Sequence, residues 1–337
     1  MASALSDFQP QPAPQATAAA QAAIGDGLVA EAQAFADELA AWRHDLHQMP
    51  ELGNNLPQTS AYIQARLTEM GIPFATLVDG SCVVGLVGAA AAQGNGVCMD
   101  EQAGTVVMLR GDMDALPVAE ESGEPFASTN GCMHACGHDM HATALLGAAR
   151  LLKAREAELV EANATVKLLF QPGEECNPGG ASLVLAENPF DGYEVRAVVG
   201  EHVEPQLEVG TLGFRAGKYM ASSDELRFSV HGTGGHGAMR PQLKDPVAAA
   251  AEFVTRLIAL NHEECVFSIG RIEAGGATNI VPDEVYLEGT LRTFDERERE
   301  IIHQRIRNIA AEIDKRLGVR IAVDISHGYP CVVNDEH

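Results

Sequence analysis

Nine consecutive residues, Met133-His134-Ala135-Cys136-Gly137-His138-Asp139-Met140-His141, hold a thiol, three imidazoles and a carboxylate. Cys136 and His138 both suit a borderline-soft divalent cation. The apolar run Ala142–Leu152 follows and reads as a buried helix, so the group sits where the first N–H groups of a helix point. Any one of these side chains alone would pass for core packing; their concentration favours a site. A second group closes Gln171-Pro172-Gly173-Glu174-Glu175. On a solvent loop the pair would mean little. At the end of a buried strand, one carboxylate can hold metal while its neighbour handles protons. Asp112 and Asp114, in Gly111-Asp112-Met113-Asp114-Ala115-Leu116-Pro117, read either as site carboxylates or as ordinary turn residues.

The elements that must position these groups are legible from periodicity. Apolar residues at helical spacing from Leu28 to Leu46 (Phe35, Leu39, Trp42) predict a helix with Trp42 in the core. His44 and His47 share a face of it and read as surface or packing residues. Thr59–Met70 predicts a second helix, stopped by Gly71. Cys82–Val87 and Thr105–Arg110 read as short buried strands, and Ala164–Phe170 and Ala197–Gly200 as two further strands, with a Gly/Ala-rich loop after the first and a helix around Ser182–Ala186. Polar residues follow three of the strands: Asp112 and Asp114, then Glu174 and Glu175, then Glu201 and His202. Strand C-terminal ends are where open α/β sheets place ligands. From about residue 213 the pattern changes to strand Glu225–His231, helix Pro246–Leu260, strands Cys265–Ile272 and Glu284–Thr293, helix Glu296–Leu317 and strand Arg320–Ile325. That β-α-β-β-α-β order predicts a ferredoxin-like sandwich.

The chain has 337 residues, enough for two domains. With 46% hydrophobic residues it reads as globular. Twenty-three basic against forty-seven acidic residues give a net charge of -24, which opposes nucleic acid and anionic membrane but not a small anionic substrate. Seven irregularly spaced cysteines show no disulfide framework and fit a reducing cytoplasm. No apolar run suggests a membrane span, and the first residues lack a signal-peptide pattern. No Walker-type phosphate loop occurs, and Gly232–Gly237 follows a strand of the second domain, which argues against a nucleotide enzyme.

Several long motifs in order resemble the M20 metallopeptidase family, in its N-acyl-amino-acid hydrolase branch. They are Trp42–His47 with Pro50-Glu51-Leu52-Gly53, Leu109–Pro117, His134–His141, Phe170–Glu175, Gly232–Ala238 and Thr278-Asn279-Ile280-Val281-Pro282. The resemblance runs from about residue 35 to the last residue. It implies a mixed-sheet α/β catalytic domain over residues 23–212 after a flexible tail, 1–22. A ferredoxin-like α/β lid, or dimerisation, domain would be inserted over 213–325, and 326–337 would begin a return linker. It implies two divalent metals, Zn2+ or Mn2+. Cys136 would bridge them, with His138, Glu175 and His202 as further ligands and Glu174 as general base. Asp112, Asp114 and Asp139 would fix imidazole and metal geometry; His134 and His141 receive no role. His236 would stabilise the oxyanion, from the same or the partner subunit. Asn279 and Arg292 would lie near the substrate carboxylate.

The substrate implied is an N-acyl amino acid or short peptide, and the assembly a homodimer through the lid. The rivals are a dipeptidase or carboxypeptidase, and an N-acetyl-diaminopimelate deacetylase. In relatives, a return to the catalytic domain brings a late histidine that completes the metal shell. Here the sequence ends at Asn334-Asp335-Glu336-His337, and His337 lacks the structured context of that ligand. The expectation is an incomplete two-metal shell, and a weakly active or non-catalytic scaffold is the rival from another class.

Overall fold

The structure, a computed structural model, describes residues 27–92, 104–190 and 193–336. The expected tail, 1–22, and His337 lie outside these residues. The chain separates into two compact units, Met1–Glu204 and Pro205–His337. Among the described residues no helix is long and apolar enough to cross a membrane. The described cysteines are all free.

In the first unit, helical residues 27–34 lead into α1 (Ala36–His47), followed by α2 (Pro57–Glu69). Pro57 sits in the first turn of α2, where its missing N–H is no loss. The Glu51 carboxylate accepts the N–H groups of Gln58 and Thr59 at 3.0 and 2.9 Å, so the Pro50–Gly53 motif caps α2. Its backbone also braces the next motif, since Ala115 N–H donates to the Glu51 carbonyl at 2.8 Å.

Strands β1 (Phe74–Leu77), β2 (Cys82–Gly88), β3 (Thr105–Asp112), β4 (Ala164–Gln171) and β5 (Val195–Gly200) form one mixed sheet in the order β1-β2-β4-β3-β5. β1 is too short to show a period and was not anticipated. β2 runs antiparallel to β1 and β4, whereas β3 is parallel to both β4 and β5. Helix α3 (His138–Ala154) connects β3 to β4, and α4 (Gly180–Ala186) follows β4. The loop expected after β2 instead begins with a helical turn, Ala89–Ala92. β2 and β4 are buried on both faces, and their alternate residues pack into separate clusters. Val83, Val87, Val166, Leu168 and Phe170 pack against Trp42, Leu46, Ile63, Leu67, Leu145 and Leu146. Cys82, Val84, Met108 and Leu169 join Val184 of α4 in a separate cluster. Burying one such side chain fully is worth about 1.5–3 kcal/mol.

The second unit contains β6 (Gly217–Met220), β7 (Asp224–His231), β8 (Gly235–His236), α5 (Pro246–Ile258), β9 (Cys265–Ala274), β10 (Ile280–Val281), β11 (Glu284–Thr293), α6 (Glu296–Leu317), β12 (Arg320–Ser326) and β13 (Val332–Asn334). The four long strands are antiparallel in the order β12-β7-β11-β9. With helices after the first and third of them, this is the ferredoxin-like arrangement. Leu226, Phe228 and Val230 of β7 alternate inward against Phe253 and Leu257 of α5 and Ile302, Ile306 and Ile313 of α6. Asp245 and Asp295 cap α5 and α6 with their carboxylates. Residues 326–337, expected as a linker, also carry β13, which pairs with β6 inside this unit.

Candidate metal centre

Because β3, β4 and β5 are parallel, their C-terminal ends open on one edge of the first unit's sheet. Those ends deliver Asp112 and Asp114, Glu174 and Glu175, and His202. The start of α3 delivers Cys136 and His138. The helix begins a turn before the expected Ala142, at His138, because Gly137 takes a left-handed φ of 87° and turns the chain into it. A Cβ on Gly137 would also lie 2.5 Å from Val203 Cγ2. Gly111 allows β3 to touch α3, since a Cβ there would lie 2.9 Å from the His141 carbonyl oxygen.

His138 is fully buried. Its Nδ1 donates to the Asp114 carbonyl at 2.8 Å, which leaves the lone pair on Nε2. That Nε2 has no hydrogen-bond partner among the described residues. Around it stand Asp112 Oδ2 at 3.7 Å, Glu175 Oε1 at 3.8 Å and Glu174 Oε2 at 3.9 Å. Cys136 Sγ lies 3.3 Å from His202 Nε2, and His202 Nδ1 donates to the Val203 carbonyl at 2.7 Å. Donor atoms of Cys136, His138 and His202 fall within 4.8 Å of one another, as do those of His138, Glu174 and Glu175.

The electrostatics call for positive charge. Burial, then the bond to Glu175 and the neighbouring carboxylates, push the Cys136 thiol up to about 12. Burial, then Glu175 and Asp112, raise Glu174. Burial alone would lower His138, but the Asp114 bond and the charges of Asp112, Asp114 and Glu174 raise it. Burial opposes ionisation of Asp112 too, yet the His141 bond, Arg110 and the nearby imidazoles hold it down at about 2. Arg110 Nη1 forms an ion pair with Asp112 Oδ2 at 2.7 Å. An unpartnered imidazole nitrogen, the Glu174 and Glu175 carboxylates, a second imidazole and a thiol are a donor set that a divalent cation fits.

Asp114 organises the centre more than its neighbours do. Its carbonyl fixes the His138 tautomer. Its carboxylate accepts the N–H groups of Glu174 and Glu175 at 2.8 and 3.0 Å. Asp112 accepts His141 Nδ1 at 2.6 Å, and His141 Nε2 accepts the Val203 N–H at 2.9 Å. His141, given no role by the sequence, therefore ties β3 to the loop that carries His202. Its i, i+3 spacing from His138 was the available signal. Asp139 needs correction. Its Oδ2 accepts Arg43 Nε at 2.7 Å and His47 Nδ1 at 2.9 Å, so it braces α1 rather than an imidazole of the cluster. His47 also meets Glu120 at 3.1 Å and is a packing residue, as expected. His44 stacks on Phe126 at 3.8 Å. His134 is buried with both ring nitrogens unpartnered among the described residues, and burial lowers it to about 4.

The other expected site residues lie in the second unit. His236 on β8 faces Ile280 on β10, and the Asn279 carbonyl accepts the Gly237 N–H at 2.8 Å. Asn279 borders a cleft of about 400 Å³ lined also by Gly237, Thr278 and Ile280, and His236 immediately precedes Gly237 in the chain. Arg292 does not join them. It sits at the far end of β11, paired with Val266, whereas β10 adjoins the Glu284 end. At about 3.4 Å per residue, the intervening strand spans roughly 27 Å. One copy of this unit therefore cannot bring Asn279 and Arg292 to the same carboxylate.

Residues 108–337 match the model of Peptidase family M20/M25/M40. An N-acetyl-L-cysteine deacetylase of Bacillus subtilis (strain 168) is 35% identical over 307 residues, 89% of this chain and 70% of the relative. An N-acyl-L-amino acid amidohydrolase of Geobacillus stearothermophilus is 35% identical over 305 residues, covering 88% and 78%. Among solved structures, a dinuclear metal-binding peptidase of the M20 family from Bacillus subtilis superposes with a TM-score of 0.73 at 34% identity, covering 90% of this chain and 77% of that one.

Proposed function

We propose that this chain, which belongs to Peptidase family M20/M25/M40, hydrolyses the amide bond of N-acyl amino acids. It is a metal-binding hydrolase of that family; the residue roles, metal identity and substrate are the proposal. Cys136, His138, Glu175 and His202 hold two divalent ions, zinc by the softness of the thiolate, with manganese compatible with the carboxylates and imidazoles. Bound there, the metal supplies Lewis acidity that activates water and polarises the acyl carbonyl.

The chain's own residues do the rest. Glu174 takes the proton of the attacking water and passes it to the departing amine nitrogen. Asp114 keeps Glu174 and Glu175 in register and fixes the tautomer of His138. Asp112, itself held by His141, keeps a permanent negative charge beside His138. His236 is the proposed oxyanion donor, from the same or a partner subunit. The proposed assembly is a homodimer through the second unit, whose edge strand β9 exposes Val266 and Ile272. The proposed compartment is the cytoplasm, which suits the free thiols.

The observation that carries this reading is the buried, unpartnered His138 Nε2 among Asp112, Glu174 and Glu175. The test is metal content and turnover on a panel of acetyl-, benzoyl- and long-acyl amino acids, N-acetyl-diaminopimelate and dipeptides. Metal content should drop sharply in Cys136→Ala. Unchanged stoichiometry in that variant would defeat the ligand assignment, and turnover of dipeptides alone would defeat the substrate class.

A further inference from the structure

The second unit carries a cluster that the proposed reaction does not use. Glu300 and His303 stand three residues apart on α6, hence on one face of that helix. His327 follows directly on β12 and packs its ring against that of His303, with centroids 5.4 Å apart and edge to face. One donor atom from each of the three lies within 4.8 Å of the other two.

We propose that Glu300, His303 and His327 form a zinc site on the second unit, separate from the catalytic centre. His303 is preset for ligation. Its Nε2 donates to Asp224 Oδ2 at 2.6 Å, so Nδ1 carries the free lone pair and faces Glu300 Oε1 at 3.9 Å. Asp224 is fully buried and is itself fixed by the Arg299 guanidinium and by the Gly328 N–H at 3.1 Å. A buried carboxylate behind an imidazole is the arrangement that orients metal-ligating histidines. His327 Nε2 lies 3.1 Å from the same Glu300 Oε1.

The spacing matches the ion. Zinc bonds of about 2.0–2.2 Å place ligand atoms about 3.3 Å apart in a tetrahedron. The gaps to Glu300 of 3.1 and 3.9 Å therefore need only small rotations. Two imidazoles and one carboxylate leave a fourth position open to solvent, where Glu300 and His327 are half exposed or more. Zinc there would clamp the first half of α6 to the segment after β12, and the chain's surplus of acidic residues favours any cation approaching it.

The test uses the full chain, stripped with chelator and reloaded with zinc ion alone. Zinc per chain is measured for the wild type, His327→Ala and Glu300→Gln. Both side chains are largely exposed, so neither change threatens folding. Each variant should hold one zinc fewer, lose the part of the zinc-induced rise in Tm that this clamp supplies, and keep wild-type hydrolysis once reloaded. His303 and His327 imidazole nitrogen resonances should shift on zinc addition in the wild type. Equal zinc per chain in all three proteins, or imidazole resonances indifferent to zinc, would overturn the site.

Discussion

Replacing Asp114 by Asn tests whether one buried carboxylate sets up the whole centre. Asn has the same shape and leaves the main-chain carbonyl that binds His138 in place. It keeps one acceptor oxygen, but turns an NH2 group toward the second loop N–H. Of the two charge-assisted bonds, to Glu174 N at 2.8 Å and Glu175 N at 3.0 Å, one is replaced by a donor–donor contact. A hydrogen bond to a charged group contributes about 1.5–3 kcal/mol, roughly 10- to 150-fold in an equilibrium constant. If Glu175 holds metal from this loop, that cost falls on metal binding, within the 10–100-fold typical of residues supporting metal ligands. Competition against a chromogenic chelator, with kcat/KM on an N-acetyl amino acid beside it, reads both effects. The expected result is metal affinity lower by about 10–100-fold in a folded protein, with kcat/KM falling alongside. A folded Asp114→Asn protein with metal affinity within about twofold of wild type would refute the reasoning, since a loop able to lose that bond freely is not positioned by it.

Glu174→Gln should retain its metals and lose about 10²–10⁴-fold in kcat, whereas Glu175→Gln should lose metal; equal metal loss and equal residual turnover would show the roles to be misassigned. Gly137→Ala should be destabilised by at least about 1–2 kcal/mol, because the left-handed φ of 87° is strained for Ala and the new Cβ meets Val203; a urea midpoint matching wild type would contradict this. Asp224→Ala leaves the buried Arg299 with only the half-exposed Glu296 carboxylate at 2.9 Å, so a loss of about 3 kcal/mol, the low end for breaking a buried pair, is expected in urea unfolding, and a loss below about 1 kcal/mol would count against it. Burial alone would raise Asp224, but Arg299, His303 and the Gly328 N–H outweigh it and hold the carboxyl below its usual range. The folded value thus lies below the unfolded one, near about 3.9. Its stabilisation is complete above that pH and drains away as pH falls through the folded value, so the urea midpoint should drop more steeply below about pH 4 in wild type than in Asp224→Asn. Parallel curves would exclude Asp224 as the cause.

What the sequence could reveal divides along the range of the contacts involved. The three strands ending in polar pairs are readable because β-branched runs and turn chemistry are local, although β5, unlike β3 and β4, has Val198 and Val199 exposed. Their alignment on one sheet edge follows once β3, β4 and β5 are parallel. The α6 boundaries were equally plain, since Asp295 caps its start and Gly318 its end. His141 was not readable. Its partners, Asp112 and Val203, lie on other strands and loops, and nothing in nine residues says which of three imidazoles spends both nitrogens on them. Asp139 misled for the same reason, because Arg43 and His47 that hold it come from α1, more than ninety residues earlier. Arg292 stands a whole strand away from Asn279 within one copy of the unit, a separation set by strand length that the sequence spacing does not display.

The difference between ligand and brace is therefore a difference in unsatisfied atoms. Two histidines three residues apart on α3 have the same chemistry and nearly the same burial. His141 has both nitrogens engaged, by a carboxylate and by a main-chain N–H. His138 has Nδ1 engaged by a carbonyl and Nε2 facing a gap ringed by carboxylates. Leaving a buried nitrogen unpaired carries a penalty of about 1–3 kcal/mol. His138 Nε2, with three acidic side chains within 3.9 Å, is the atom the proposed catalytic cation would engage, and His303 has the same disposition, with Nε2 tied to Asp224 while Nδ1 is turned toward Glu300.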